Sequence, residues 1–140
     1  MGVIAPVLRG CLTAMLYSGL AAAPALAADS GVAKGDASKA GIVLSNSYAG
    51  NTWRQQMLKT WDAASKQALD QHIIAKAGVV NSNNSAPQQA SQIENMILQG
   101  WQAIVVDAAS PTALNGVIQE ACDAKITVVV FDSLATAPCA

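Results

Sequence analysis

Gly41–Met57 reads GIVLSNSYAGNTWRQQM, and this stretch decides the fold. Ile42–Leu44 is a short apolar run, preceded by Gly41, that fits the end of a buried strand. Ser45–Thr52 follows with small and polar residues, Gly50 among them and no charge. Trp53-Arg54 then opens a helical period, with the N-cap expected at Asn51 or Thr52. Strand, loop and helix N-terminus in that order bring exposed backbone N–H groups to the carboxyl edge of an open α/β sheet, where such folds meet ligands. The loop supplies hydroxyls, amides, an indole and a guanidinium, but no thiol, histidine or carboxylate. Those groups suit a neutral polyhydroxyl compound and suit catalysis poorly. An ordinary connecting loop is the plain alternative.

Working outward, Trp53, Met57, Trp61, Ala64 and Ala68 fall on one face of the first helix, and Trp61 reads as core. That helix is expected to run to about Ala75, with Gly78 marking a break and His72 a solvated residue near its end. Ala77–Val80 is a second apolar run, closed by Asn81-Ser82-Asn83-Asn84. Ser85 then caps a second helix with Gln88 in a capping-box position and Pro87 in the first turn. Ile93, Met96 and Ile97 form its inward stripe and Gly100 its stop. Ala103–Val106 is the third strand, ending at Asp107. Ser110-Pro111 is expected to open a third helix with Leu114, Val117, Ile118 and Ala121 inward. Ile126–Phe131 is the fourth strand, ending at Asp132-Ser133. The order β-α-β-α-β-α-β with unbroken apolar strands predicts a doubly wound parallel α/β sheet, strand order 2-1-3-4, buried on both faces.

The 140 residues allow one domain, and 52% hydrophobic with 12% charged residues excludes a disordered chain. At the N-terminus, Arg9 is the sole charge before Asp29, Cys11–Ala23 is apolar and small, and Ala25-Leu26-Ala27 forms an A-x-A site. Residues 1–27 therefore read as a cleaved secretory signal peptide, with an uncleaved anchor as the alternative. Residues 28–40, rich in Ala, Gly, Ser and Asp, read as a flexible leader. Cleavage leaves 113 residues with seven Lys/Arg and nine Asp/Glu, a net charge of −2 and no basic patch. Nucleic acid is not an expected partner, and neither is membrane insertion after cleavage. Two cysteines remain, Cys122 and Cys139. In an oxidising compartment they are disulfide candidates, provided the tail after the fourth strand runs back down the face of the sheet.

A parallel sheet gathers the strand C-termini on one edge. That edge collects Ser45–Arg54, Asn81–Asn84, Asp107–Ser110 and Asp132-Ser133. His72 belongs to the opposite edge, so a Ser–His–Asp triad does not assemble, and no His/Cys clustering points to a metal or other cofactor. Asp107 and Asp132 are the two carboxylates there. Asp107 reads first as a brace of its own loop; Asp132 reads first as an acceptor for sugar hydroxyls. Trp53 is either a plate for a sugar ring or the head of the core stripe, and Arg54 a forked donor.

The ordered segments SNSYAGNTWRQQM, VVNSNNSAPQQASQIENMILQGWQAIVVDAASPTALNGVIQEA and ITVVVFDS together resemble the N-terminal lobe of ribose-binding-like periplasmic sugar-binding proteins of ABC transporters. The resemblance implies a non-catalytic periplasmic protein that binds a monosaccharide or related polyol and delivers it to an inner-membrane ABC permease. By position it singles out Ser45, Tyr48, Asn51, Trp53 and Arg54 in the first loop, and Asp132 with Ser133 after the fourth strand. It also implies that residues 41–140 are a truncated lobe of a two-lobe protein. Two alternatives stand beside it: a small secreted hydrolase using Asp107 and Asp132, and a nonfunctional truncated gene product.

Overall fold

The computed structural model describes residues 36–140. The expected signal peptide and most of the expected leader lie outside the described residues. The elements are β1 (Gly41–Asn46), α1 (Thr52–Asp70), β2 (Lys76–Asn81), α2 (Ala86–Leu98), β3 (Ala103–Asp107), α3 (Asn115–Asp123) and β4 (Thr127–Val130). All three strand pairings are parallel, and the sheet order is β2-β1-β3-β4, as the apolar pattern predicts. Register pairs Gly41 with Lys76, Ile42 with Ala103, and Ala103 with Thr127. Because β1 steps one way to β2 and the chain then steps back to β3 and β4, right-handed crossovers put α1 on one face and α2 with α3 on the other.

The two faces are covered unequally. Against α2 and α3, Val43, Ile104 and Val106 pack with Ile93, Met96, Leu114, Val117, Ile118, Ala121 and Ile126. On the α1 face Leu44 is fully buried, yet Val129 is half exposed and Val79 nearly so. The expectation of burial on both faces therefore holds for β1 and β3 and is corrected for the edge strands. The same correction applies to the stripe on α1. Trp53 is 52% exposed, Trp61 is half-buried, and Arg54 is the one buried residue of the helix. Trp53, Met57, Trp61 and Ala64 instead line an apolar groove of about 480 Å³ with Val105 and Phe131. One helix cannot cover a four-stranded face, so its apolar stripe borders a groove instead of a closed core.

Helix boundaries follow local hydrogen bonding. Asn51 Oδ1 accepts from Arg54 N at 2.8 Å and caps α1. α1 stops at Asp70, short of Ala75, because His72 takes a left-handed φ of 55° and Ile73 N returns to Ala68 O. Gly78 is not a helix break. It sits inside β2 beneath Trp101, where an added Cβ would come within 3.0 Å of the ring. Ser85 Oγ accepts from Gln88 N and caps α2, and Gly100 closes it with φ of 68°. Ser110 Oγ accepts from Ala113 N, but this closes an isolated turn, and α3 starts only at Asn115.

After β4 the chain folds back over α3. Thr136 N donates to Pro111 O, Asn115 Nδ2 donates to Thr136 Oγ1, and Ala137 is buried in the core. Cys122 and Cys139 are joined in a disulfide with their Cα atoms 6.4 Å apart. Among the described residues, no helix is long and apolar enough to cross a membrane.

Candidate functional site

Four loops leave the carboxyl edge of the sheet, and buried polar side chains tie them together. The first tie is Gln89 on α2, fully buried. Its Nε2 donates to Ser45 O, Ser45 Oγ and Asp107 O, and its Oε1 accepts from Ala109 N. It links the ends of β1 and β3 to the loop after β3. Gln89→Leu keeps the volume but strips partners from buried groups, at about 1–3 kcal/mol by the usual cost of such orphans. A urea titration of the variant should show that loss, with an unchanged m-value.

The second tie is between the loops after β1 and β2. Ser82 N donates to Asn46 O, Ser82 Oγ to Ser47 O, and Asn84 N to Ser47 O. Asn83 and Asn84 adopt left-handed φ of 51° and 61°, a conformation asparagine tolerates better than most residues. Asn46 Nδ2 donates to Tyr48 O and to Asn81 Oδ1.

The third tie is ionic. Arg54, 8% exposed, carries its guanidinium from the first turn of α1 into the loops. Nη1 forms an ion pair with Asp107 Oδ2 and donates to Asn46 Oδ1. Nη2 lies 2.9 Å from Asp132 Oδ2 and donates to Ser133 Oγ at 3.1 Å. Ser47 Oγ also donates to Asp107 Oδ2. The Trp53 ring stands 5.2 Å from the guanidinium carbon, within cation–π range. Asp107 is fully buried, whereas the Asp132 side chain is 41% exposed and its backbone holds a left-handed φ of 55°.

Above these ties opens a polar cleft of about 610 Å³. Ser47, Tyr48, Asn51, Arg54, Ser110 and Ser133 are among its walls. Of the residues the sequence singled out, the fold thus brings Tyr48, Asn51, Arg54 and Ser133 together here. Asp132 is not among the lining residues; it precedes Ser133 in the chain and is ion-paired with Arg54. Ser45 points the other way and is sealed beneath Gln89, because strand alternation turns it toward α2. Trp53 lines the apolar groove on the α1 face, outside the cleft. The sequence reading missed Gln89. A polar residue at i, with Ile93 and Met96 at i+4 and i+7, was the available signal that an amide lies on the inward stripe.

The cleft walls offer hydroxyls and amides, and the half-exposed carboxylate of Asp132 pairs with Arg54 beside them. Asp107, the second acid of the hydrolase alternative, is sealed in its ion pair with no path to a substrate. Among the described residues, no group of three His, Cys, Asp or Glu side chains is placed to hold a metal.

Residues 42–140 match the periplasmic binding protein domain family. The chain belongs to that family. Its fold is similar to an ABC transporter solute binding protein from Thermobispora bispora, with 51% identity, a TM-score of 0.70, and coverage of 73% of this chain and 32% of that one. A sugar ABC transporter protein from Actinomyces odontolyticus is similar at 28% identity and a TM-score of 0.63, covering 74% of this chain and 32% of that one. The multiple sugar-binding periplasmic receptor ChvE of Rhizobium radiobacter is 40% identical over 52 residues, which make up 37% of this chain and 15% of that protein. This periplasmic binding protein domain therefore spans about a third of the length of its solved relatives. The family is one of periplasmic binding proteins, and the Thermobispora bispora relative is a solute binding protein.

Proposed function

We propose that this domain is the N-terminal part of a periplasmic solute-binding component of an ABC importer, and that the edge of its sheet holds a neutral monosaccharide or polyol. The observation that carries the reading is the polar cleft where Tyr48, Asn51, Ser47 and Ser133 meet beside the half-exposed carboxylate of Asp132. Hydroxyls and amides match a sugar's alternating donors and acceptors, and a carboxylate accepts from two adjacent hydroxyls more strongly than any neutral group. The sugar-binding relatives point the same way. Ser47 Oγ has the Asp107 carboxylate beside it, but that carboxylate is buried and ion-paired with Arg54, which supports binding without turnover. Delivery to an inner-membrane permease completes the role.

Calorimetric titration of the chain with D-glucose, D-ribose and myo-inositol tests this. Saturable binding of at least one is expected, together with unchanged sugar after long incubation. Within that binding, Asp132→Ala should weaken affinity by more than about tenfold, since a hydrogen bond to a charged group contributes roughly 1.5–3 kcal/mol. Asn51→Ala should weaken it less. A folded Asp132→Ala variant that binds as tightly as the parent would remove Asp132 from the site.

A further inference from the structure

We propose that Arg54 is a positioning residue that holds Asp132 and Ser133 at the cleft rim and takes no sugar hydroxyl itself; this rests on the sugar-binding reading above. Each terminal nitrogen of Arg54 already faces one carboxylate and one neutral acceptor. A guanidinium has five N–H groups in a fixed fork. Nη1 donates to Asn46 Oδ1 and is ion-paired with Asp107 Oδ2. Nη2 donates to Ser133 Oγ and is ion-paired with Asp132 Oδ2. The Nε–H has no partner among the described residues, and the side chain is nine-tenths buried with the Trp53 ring over it. A sugar hydroxyl could gain a bond to Nη only by displacing a carboxylate or Ser133.

The geometry gives the clamp a purpose. Asp132 lies in left-handed backbone just past the end of β4, at the start of the returning tail. Its Oδ2 is fixed by Nη2, and its Oδ1 has no partner among the described residues. Arg54 thereby fixes a carboxylate next to the cleft residue Ser133 and leaves one of its oxygens unpaired. Its other arm is anchored by Asp107, which is fully buried. One positive charge against two carboxylates leaves a net negative charge at the rim, so the acceptor character of Asp132 survives its ion pair. Preorganisation of this kind lowers the ordering cost of binding.

The sequence supplies a direct probe. Arg9 and Arg54 are the only arginines in the chain, so ¹⁵N-arginine labelling reads Arg54 against a single other residue. In the cold, the Nη protons of Arg54 should give separate, slowly exchanging signals. Asp132→Ala combined with Ser133→Ala should average the Nη2 pair and leave the Nη1 pair resolved. Saturation with D-glucose, D-ribose or myo-inositol should shift the Asp132 carboxyl carbon while Arg54 Nη and Nε signals stay in place.

Averaged Nη signals in the parent chain overturn the clamp, as does a double variant whose Nη2 pair stays resolved. A sugar that displaces the Arg54 signals overturns the positioning role and makes Arg54 a ligand. If none of the three sugars moves Asp132 while the Nη signals behave as described, the clamp is supported and the sugar-binding reading is what fails.

Discussion

Arg54→Met is expected to cost about 3–5 kcal/mol of folding stability, the largest loss from any single change at the cleft. The reason lies less in what Arg54 contributes than in what its removal leaves behind. Asp107 is fully buried, its Oδ2 is paired with Nη1, and its Oδ1 has no hydrogen-bond partner among the described residues. Without the guanidinium, Ser47 Oγ is the one donor left on that carboxylate among the described residues. A buried charge with a single hydroxyl for company must remain uncompensated or take up a proton, and either route destabilises the fold. The companion variant separates the two contributions. Arg54→Met with Asp107→Leu removes both charges and should recover most of the loss, because replacing a whole buried ion pair with apolar groups is often neutral. Chemical denaturation followed by circular dichroism supplies the numbers. A loss below about 1 kcal/mol in the single variant would mean that the pair is screened like one at the surface.

Opening the Cys122–Cys139 disulfide is expected to remove about 3 kcal/mol, the loop-closure value for a ring of about this size. The bridge spans a sequence separation of 17 and fastens the tail to α3. Released, the tail keeps its hydrogen bonds to Pro111 and Asn115 and the burial of Ala137, which hold it only in part. Ser133 and Leu134 belong to both the tail and the cleft wall, so the loss should reach the site as well. Thermal melts of the oxidised chain and of a Cys122→Ser, Cys139→Ser variant, both without reductant, give the comparison. Equal melting temperatures would show that the tail is held by its packing alone.

The sheet was legible because its central strands are unbroken apolar runs flanked by capped helices. Ser85 with Gln88 marked α2 to the residue, and the direction of every strand followed. Helix ends were legible only where a glycine or a side-chain cap marks them. α1 ends on His72 in a conformation usually left to glycine, and nothing in the residue type announces it. α3 begins at a position without a side-chain cap, while Ser110, a good cap by type, closes a separate turn. The site was legible by position and not by orientation. Ser45 and Ser47 are two residues apart and end in different surroundings, one sealed under Gln89 and one lining the cleft. Arg54 and Trp53 are adjacent and their side chains stack, yet one lines the polar cleft and the other the apolar groove. Which partner claims each side chain depends on residues tens of positions away.

The placing of β1 between β2 and β3 bears on how the molecule comes together in time. Joining β3 to β4 brings Ala103 to Thr127, the shortest span of the three pairings; β1 must find Lys76 on one side and Ala103 on the other. Chain entropy favours the short closure first, so β3-α3-β4 is the natural nucleus and β1 enters late. Substitutions in α3 should accordingly slow refolding more than substitutions in α1, and the reverse ranking in stopped-flow kinetics would sink this order. Since β1 delivers the loop that carries Ser47, Tyr48 and Asn51 and leads into Arg54 on α1, the cleft does not exist in any earlier species. A partly folded chain has no cleft for any ligand to enter.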